Sequence, residues 1–255
     1  MLDLYHAEPT GDSARVLIVL EEKALEFRGH YVDVLALQRY RPPLSELAPG
    51  ADIPVLIRAG VAATGASALC ELLEEAHPEP ALMPPGARVR WCVRVWQKQV
   101  DDALAPAVGA LAWQAYAERS LTPQARAELE QTLEPTVPPD ERPRWRAALA
   151  GYSAEALARA AAHVEVAVEN IEAALGTHSW LAGEAYSLAD VAVFAYLKYL
   201  PALDAARLTE TRTPRTLAWL RAISERPAVR AALARGRAAD PFTTATPARE
   251  WIRWG

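Results

Sequence analysis

The chain has 255 residues, 51% of them apolar, and a formal net charge of −5. A chain of that size can bury one large core or two modest ones, and its acidic balance gives no support to a nucleic-acid partner. It holds no run of about 18 uninterrupted apolar residues, so no membrane-spanning helix is expected.

The opening residues, Met1-Leu-Asp-Leu-Tyr5, carry no basic region and no signal-peptide core. Cys70 and Cys92 are the only cysteines, and both fall in apolar helical patterns. Neither a disulfide framework nor a metal site is therefore expected, and a reducing, cytoplasmic location fits.

Leu2 to His6 reads as a short strand, and Pro9-Thr-Gly-Asp-Ser13 as a loop ending in helix-capping residues. Arg15 to Leu25 places Val16, Val19 and Leu20 on one helical face, and Phe27 to Val34 alternates like a second strand. Arg41 to Gly50 is irregular, with room for one helical turn. Ile53 to Ile57 and Val61 to Ala63 predict a hairpin around Ala59-Gly60, followed by a third helix over Ala66 to Ala76. The order β-α-β, then β-β-α, is that of a thioredoxin-like α/β domain over residues 1–76.

Residues 77–86, with four prolines closed by Gly86, form a linker by composition. From 87 to 237 every predicted element is a helix. Arg88 to about Tyr116 is long, and Pro106 should kink it rather than end it. Trp91 and Trp96 are read as core residues. The proline-rich segment from Glu134 to Pro143 interrupts the next helix, and Ser153 to Leu175 resumes as an alanine-rich one. Thr213-Pro214 opens a helix through Ile223, and Arg226-Pro227 opens a last one. The tail 238–255 carries Trp251 and Trp254, two large apolar groups expected to pack on the body or on a partner.

The most specific stretch is Trp180-Leu-Ala-Gly-Glu-Ala-Tyr-Ser-Leu-Ala-Asp190-Val. Ser187 is suited to cap a helix, and Asp190, three residues on, can reach back to the Ser187 backbone N–H. Tyr186 and Val191 flank this capping box at the spacing of a hydrophobic staple. The helix that follows is almost wholly apolar, as a helix buried in a core must be. The string resembles the C-terminal signature of the glutathione transferase superfamily. That resemblance implies a thioredoxin-like domain joined to an all-α domain, as the chain order already suggests. Within the superfamily, Leu4-Tyr5, the run Glu22 to Phe27, the segment Arg94 to Asp101 and the insertion Val137 to Arg146 look like the bacterial β-etherases. Most transferases of the superfamily lack that insertion. The β-etherases cleave β-aryl ethers of lignin-derived aromatics with glutathione.

The resemblance implies four parts of a glutathione site. Ser13 stands where related enzymes carry the hydroxyl that stabilises the thiolate, and it is equally suited to cap the first helix. Ile53-Pro54 matches a cis-proline whose preceding residue offers its backbone to the peptide. The family's Glu-Ser (or Asp-Ser) at the start of the third helix, which holds the γ-glutamyl ammonium and carboxylate, falls on Gly65 and Ala66. Ser67 is one residue late, about 100° around the helix. A basic or amide residue is usual two before the proline, but here it is Asp52, and Glu46 stands where another base is common. Both acids are expected to repel a carboxylate.

Two readings follow. The one favoured by Gly65, Ala66 and Asp52 is a subunit whose own glutathione binding is weakened or lost, paired with a catalytic sister chain. The alternative is an active homodimeric enzyme using Ser13, with an apolar acceptor pocket near Trp113, Tyr116 and the Val137–Trp145 insertion. Either implies a dimer, with itself or with a related transferase, and a hydrophobic aromatic ligand. A protein that holds such aromatics without reaction is a third possibility that no residue selects.

Overall fold

Strand β1 (Leu2–His6) is the centre of the sheet in the computed structural model, which describes residues 1–50 and 52–237. It pairs in parallel with β2 (Phe27–Tyr31), from Leu2 opposite Phe27 to His6 opposite Tyr31. On its other side it runs antiparallel to β3 (Val55–Arg58), which pairs in turn with β4 (Val61–Thr64), giving the order β2-β1-β3-β4. Ala59 and Gly60 both have positive φ, as a two-residue hairpin turn requires. This is the thioredoxin-like arrangement expected from the element order. Trp251 and Trp254 lie outside the described residues.

Helix α1 (Gly11–Glu22) is buried at every position from Ser13 to Leu20. One-faced burial would leave every third or fourth residue exposed. The unbroken run means that α1 is covered on both sides, by the sheet and by the helical half. It starts earlier than the apolar spacing suggests, because Thr10 rather than Ser13 takes the cap position. After β2, the single turn α2 (Leu44–Leu47) leads to β3, and α3 (Ala66–Ala76) occupies the residues anticipated for it.

The helical half begins with α4 (Ala87–Gln99) and continues through a π-helical turn, Val100–Leu104, into α5 (Ala105–Arg119). The wide turn sits immediately before Pro106, whose ring cannot donate to the turn before it. The rod is therefore re-phased there, and it runs on through the proline without ending. Then come α6 (Pro123–Thr136), α7 (Arg142–Ala150), α8 (Ala154–Ala174), α9 (Leu188–Leu197), the turn α10 (Leu200–Leu203), α11 (Pro214–Ser224) and α12 (Pro227–Leu233). Trp96 is half-buried and donates to the Leu181 carbonyl at 2.9 Å. Trp91 is 63% exposed, against the expectation that it belongs to the core. It lies on the solvent face of α4, one turn before Arg94.

Helix α9 is buried along its whole length, and the capping box is present. Asp190 has no solvent exposure and accepts four hydrogen bonds. Its Oδ2 takes the Ser187 N–H and hydroxyl, both at 3.0 Å. Its Oδ1 takes the Leu181 N–H at 3.0 Å and the Trp219 indole N–H of α11 at 2.9 Å. Burial pushes the Asp190 carboxyl above its ordinary range, and these donors work against that shift.

The linker is pinned by a second buried pair. Lys23, at the end of α1, bonds Glu74 of α3 and donates to the Pro80 carbonyl at 2.6 Å. Glu74 accepts from the Leu82 and Met83 N–H groups. The Leu82 carbonyl then accepts the Leu188 N–H, at the start of α9, at 2.8 Å.

Asp190→Asn should destabilise the protein by about 1–3 kcal/mol, because either orientation of the amide turns an NH₂ toward a buried donor. Trp219→Phe should cost less, and the two together should fall short of the sum because they share a bond. Chemical denaturation of the two single variants and the double variant tests this; strict additivity would show that the two groups act independently.

The cysteines give a further check. Burial pushes the Cys70 thiol up to about 12, whereas Cys92 is only half-buried. A thiol reagent at neutral pH should label Cys92 in the native protein and reach Cys70 only after unfolding, as peptide mapping of the labelled protein would show.

Candidate functional site

The loop between β1 and α1, the turn before β3 and the start of α3 lie at one end of the sheet, where Tyr5 stands opposite Val55 and Val55 opposite Thr64. Ser13 is the third residue of α1 and is buried. Its Oγ accepts the Ala7 N–H at 3.1 Å, so it braces the loop rather than capping the helix. Among the described residues no acceptor takes the hydroxyl proton in return. Gly11 makes this loop possible. Its φ is +50°, and a Cβ there would meet the Tyr196 ring at 3.0 Å. That ring belongs to α9, and its hydroxyl donates to Asp12 at 2.8 Å.

Ile53-Pro54 is cis, as the resemblance implies. Gly65 and Ala66 stand at the start of α3, with Gly65 in the cap position at φ +86°. No polar side chain is available from either residue. A Glu introduced at 65 would have to adopt a left-handed backbone, which costs roughly 1–2 kcal/mol.

Beside that helix start lies a polar cluster that the chain order does not announce. Arg15 is 1% exposed in the middle of the apolar α1. Its Nη1 donates to Asp12 at 3.1 Å and to Asp101 at 2.6 Å, and its Nη2 bonds the Ser67 hydroxyl. Ser67 donates in turn to the second Asp101 oxygen at 2.6 Å. Burial opposes the charge on Arg15, but Asp12 and Asp101 more than offset it and hold the guanidinium protonated. Asp101 lies in the π-helical turn, which aims it at α1 and α3. Both acids are about two-fifths exposed, so each has an oxygen face open to solvent. The signal for this cluster was Arg15 itself: a charge inside an apolar helix must have a partner.

Asp52 is not an isolated acid. It pairs with buried Arg39 and lies 3.8 Å from Arg144. The repulsion expected from it is therefore neutralised. Glu46 is exposed on α2. Arg39 also bonds Glu141, from the insertion. The aromatic groups expected to line an acceptor pocket are core residues. Trp113, Trp145, Val137 and Tyr116 are all buried. The Trp113 and Trp145 rings meet edge to face at 6.1 Å. Trp113 donates to the Ala148 carbonyl at 2.8 Å, and Trp145 to the Tyr40 hydroxyl at 2.9 Å. Volume and periodicity cannot separate a large aromatic in a core from one on a pocket wall.

Comparison with known proteins agrees with this architecture. Residues 4–81 match the glutathione S-transferase N-terminal domain and residues 107–227 the glutathione S-transferase C-terminal domain. The chain is 30% identical to protein LigF of Sphingobium sp. strain SYK-6 over 235 residues, covering 90% of this chain and 91% of that one. It is similar to the crystal structure of the beta-etherase LigF from that strain, with a TM-score of 0.83 and 29% identity over 92% of this chain and 99% of that one. A glutathione transferase family member from Pseudomonas fluorescens, solved with two glutathione bound, shares the fold at a TM-score of 0.68 and 20% identity over 91% of this chain and 92% of that one. With both domains matched and the relationship to LigF running through nearly the whole chain, this protein belongs to the glutathione S-transferase family.

Proposed function

We propose that this protein uses the thiolate of glutathione to cleave β-aryl ether bonds of lignin-derived aromatics, with Ser13 as the group that stabilises the thiolate. The observation that carries this reading is the Ser13 hydroxyl, whose oxygen is fixed by the Ala7 N–H while its proton is free to be donated. In the reaction a sulfur–carbon bond forms as the carbon–oxygen ether bond breaks. The phenolate leaves with the bonding pair and takes a proton from water. Because resonance stabilises that phenolate, positioning of the thiolate supplies much of the rate. The similarity to LigF supports the choice of ether.

The γ-glutamyl end would be held differently from the family pattern. The N–H groups at the start of α3 suit a carboxylate. Asp101, with lone pairs to spare beside Ser67, suits the ammonium. Ile53 would offer its backbone to the peptide. The protein would work in the cytoplasm as a dimer. Exposed Trp91 and Leu72 flank the Arg94–Glu71 pair that links α4 to α3, and they offer a face for the partner.

Gly65 and Ala66 favour a second reading, in which glutathione binds this chain too weakly for turnover and a sister transferase carries the chemistry. Calorimetry on the chain alone separates the two. The first reading expects glutathione to bind, and an analogue lacking the γ-glutamyl amino group to bind about tenfold more weakly, which corresponds to one charge-assisted bond. Asp101→Asn should abolish that difference. No detectable binding by the chain alone, with recovery on adding a sister chain, would establish the second reading.

Ser13→Ala should remove most ether-cleaving turnover. It should also cost about 1–3 kcal/mol of stability, because the buried Ala7 N–H loses its acceptor. Turnover measured well below the melting temperature tests the role. Undiminished turnover in the folded variant would exclude Ser13 as the thiol activator.

A further inference from the structure

The insertion, which follows α6 and includes the first turn of α7, touches the site from behind. Arg39, in the loop after β2, is buried and spans two carboxylates: its Nη1 bonds Asp52 and its Nη2 bonds Glu141. Glu141 also accepts the Tyr40 hydroxyl at 2.9 Å, and that same hydroxyl accepts the Trp145 indole N–H at 2.9 Å. Arg144 stands 3.8 Å from Asp52 and 4.0 Å from Glu141. The guanidinium of Arg39 lies 4.5 Å from the centre of the Tyr40 ring. Two cations and two anions thus join the insertion to the residue immediately before Ile53-Pro54.

An apolar connection runs parallel to this polar one. Val137, Trp145, Ala148 and Leu149 form one small core with Trp113, and Ala7 and Ile53 pack into it. Ala7 is the residue whose N–H fixes Ser13. The insertion therefore backs both backbone segments of the site: the loop that holds the hydroxyl and the turn that precedes the cis-proline.

We propose that the insertion is a positioning strut for the thiol site, with Arg39 as its keystone and Glu141, Arg144 and Trp145 as positioning residues. This rests on the functional reading above. Stability alone is a poor account of the network. Ion pairs withdrawn from water repay their desolvation only with good geometry, and apolar residues of similar volume are often as stabilising. What the pairs add is register. A planar guanidinium fork that bonds two carboxylates at once sets the distance between them, whereas an ammonium on its flexible stem holds no fixed spacing. Shifts of an ångström in a supporting shell are enough to cost a site much of its rate.

Arg39→Lys keeps the charge but loses the rigid fork that fixes Asp52 against Glu141. Trp145→Phe removes only the bond to Tyr40 and a little volume. Ile223→Ala, in the core of α11, serves as a control with a lowered melting temperature outside the small core that joins the insertion to Ala7 and Ile53. Calorimetry with glutathione, and the ultraviolet absorbance of the bound thiolate against pH, are measured for all three well below melting. The strut predicts that Arg39→Lys and Trp145→Phe each raise the dissociation constant at least about fivefold and raise the pH at which the bound thiol ionises. The control should leave both unchanged. If Arg39→Lys and Trp145→Phe only lower the melting temperature, as the control does, the strut is overturned while the functional reading stands. If the unmodified chain binds no glutathione, the functional reading fails and this proposal fails with it.

Discussion

The carboxylate of Asp190 is the point on which the two halves depend. A capping box alone would need only the Ser187 pair. Here the second oxygen is used as well, by a backbone N–H from the preceding loop and by an indole from α11. The central helix is therefore tied at its first turn to the segment that leads into it and to a helix more than twenty residues further on. The next residue past the cap, Leu188, bonds the linker carbonyl of Leu82, and the linker is held by Glu74 and Lys23. A chain of bonds thus runs from α11 through α9 and the linker to α1. The thioredoxin-like half is docked on the helical half along this line, and α1, which carries Ser13, lies between them.

The same device recurs. Arg15, Lys23 and Arg39 are each almost fully buried, and each bonds a carboxylate from another segment of the chain. None of these contacts is local except that of Arg15 with Asp12. The hydrophobic drive is non-directional, whereas a buried charge parted from its partners is strongly destabilising. The three cations lie where α1, the linker and the insertion meet the rest of the molecule. They define how the pieces seat, while the apolar core supplies the drive to bring them together.

Much of this was legible in the residues. The order of elements along the chain, the third helix and the capped helix all follow from short-range signals: alternation, apolar spacing, proline and glycine punctuation, and the Ser187–Asp190 spacing. The rest shares a different cause. By residue type Ser13 suits a helix cap and a thiolate stabiliser equally, and its bond to the Ala7 N–H depends on the loop folding back. Asp52 reads as a repulsive charge in the sequence because its partners lie 13 residues before it and, in the insertion, 92 residues after it. Trp91 and Trp113 have the same apolar character, and only the final packing sends one outward and the other into the core. Pairing over long sequence distances leaves no periodic trace. A buried charge in an apolar run, such as Arg15, is the nearest thing to a warning.

The wide turn at Val100–Leu104 separates those two tryptophans. It carries one more residue per hydrogen-bonded ring than the helices on either side, so it acts as a phase shift in a rod that otherwise keeps one repeat. Upstream of it, α4 shows Trp91 to the surface; downstream, α5 buries Trp113 and Tyr116. The length of this rod therefore carries information that its composition does not. Changing a side chain within the turn alters only what that residue touches, whereas adding or losing a single residue there would rotate all of α5 by a fraction of a turn and present a different face to the insertion. In this part of the molecule the number of residues is itself a structural parameter, alongside the identity of Asp101.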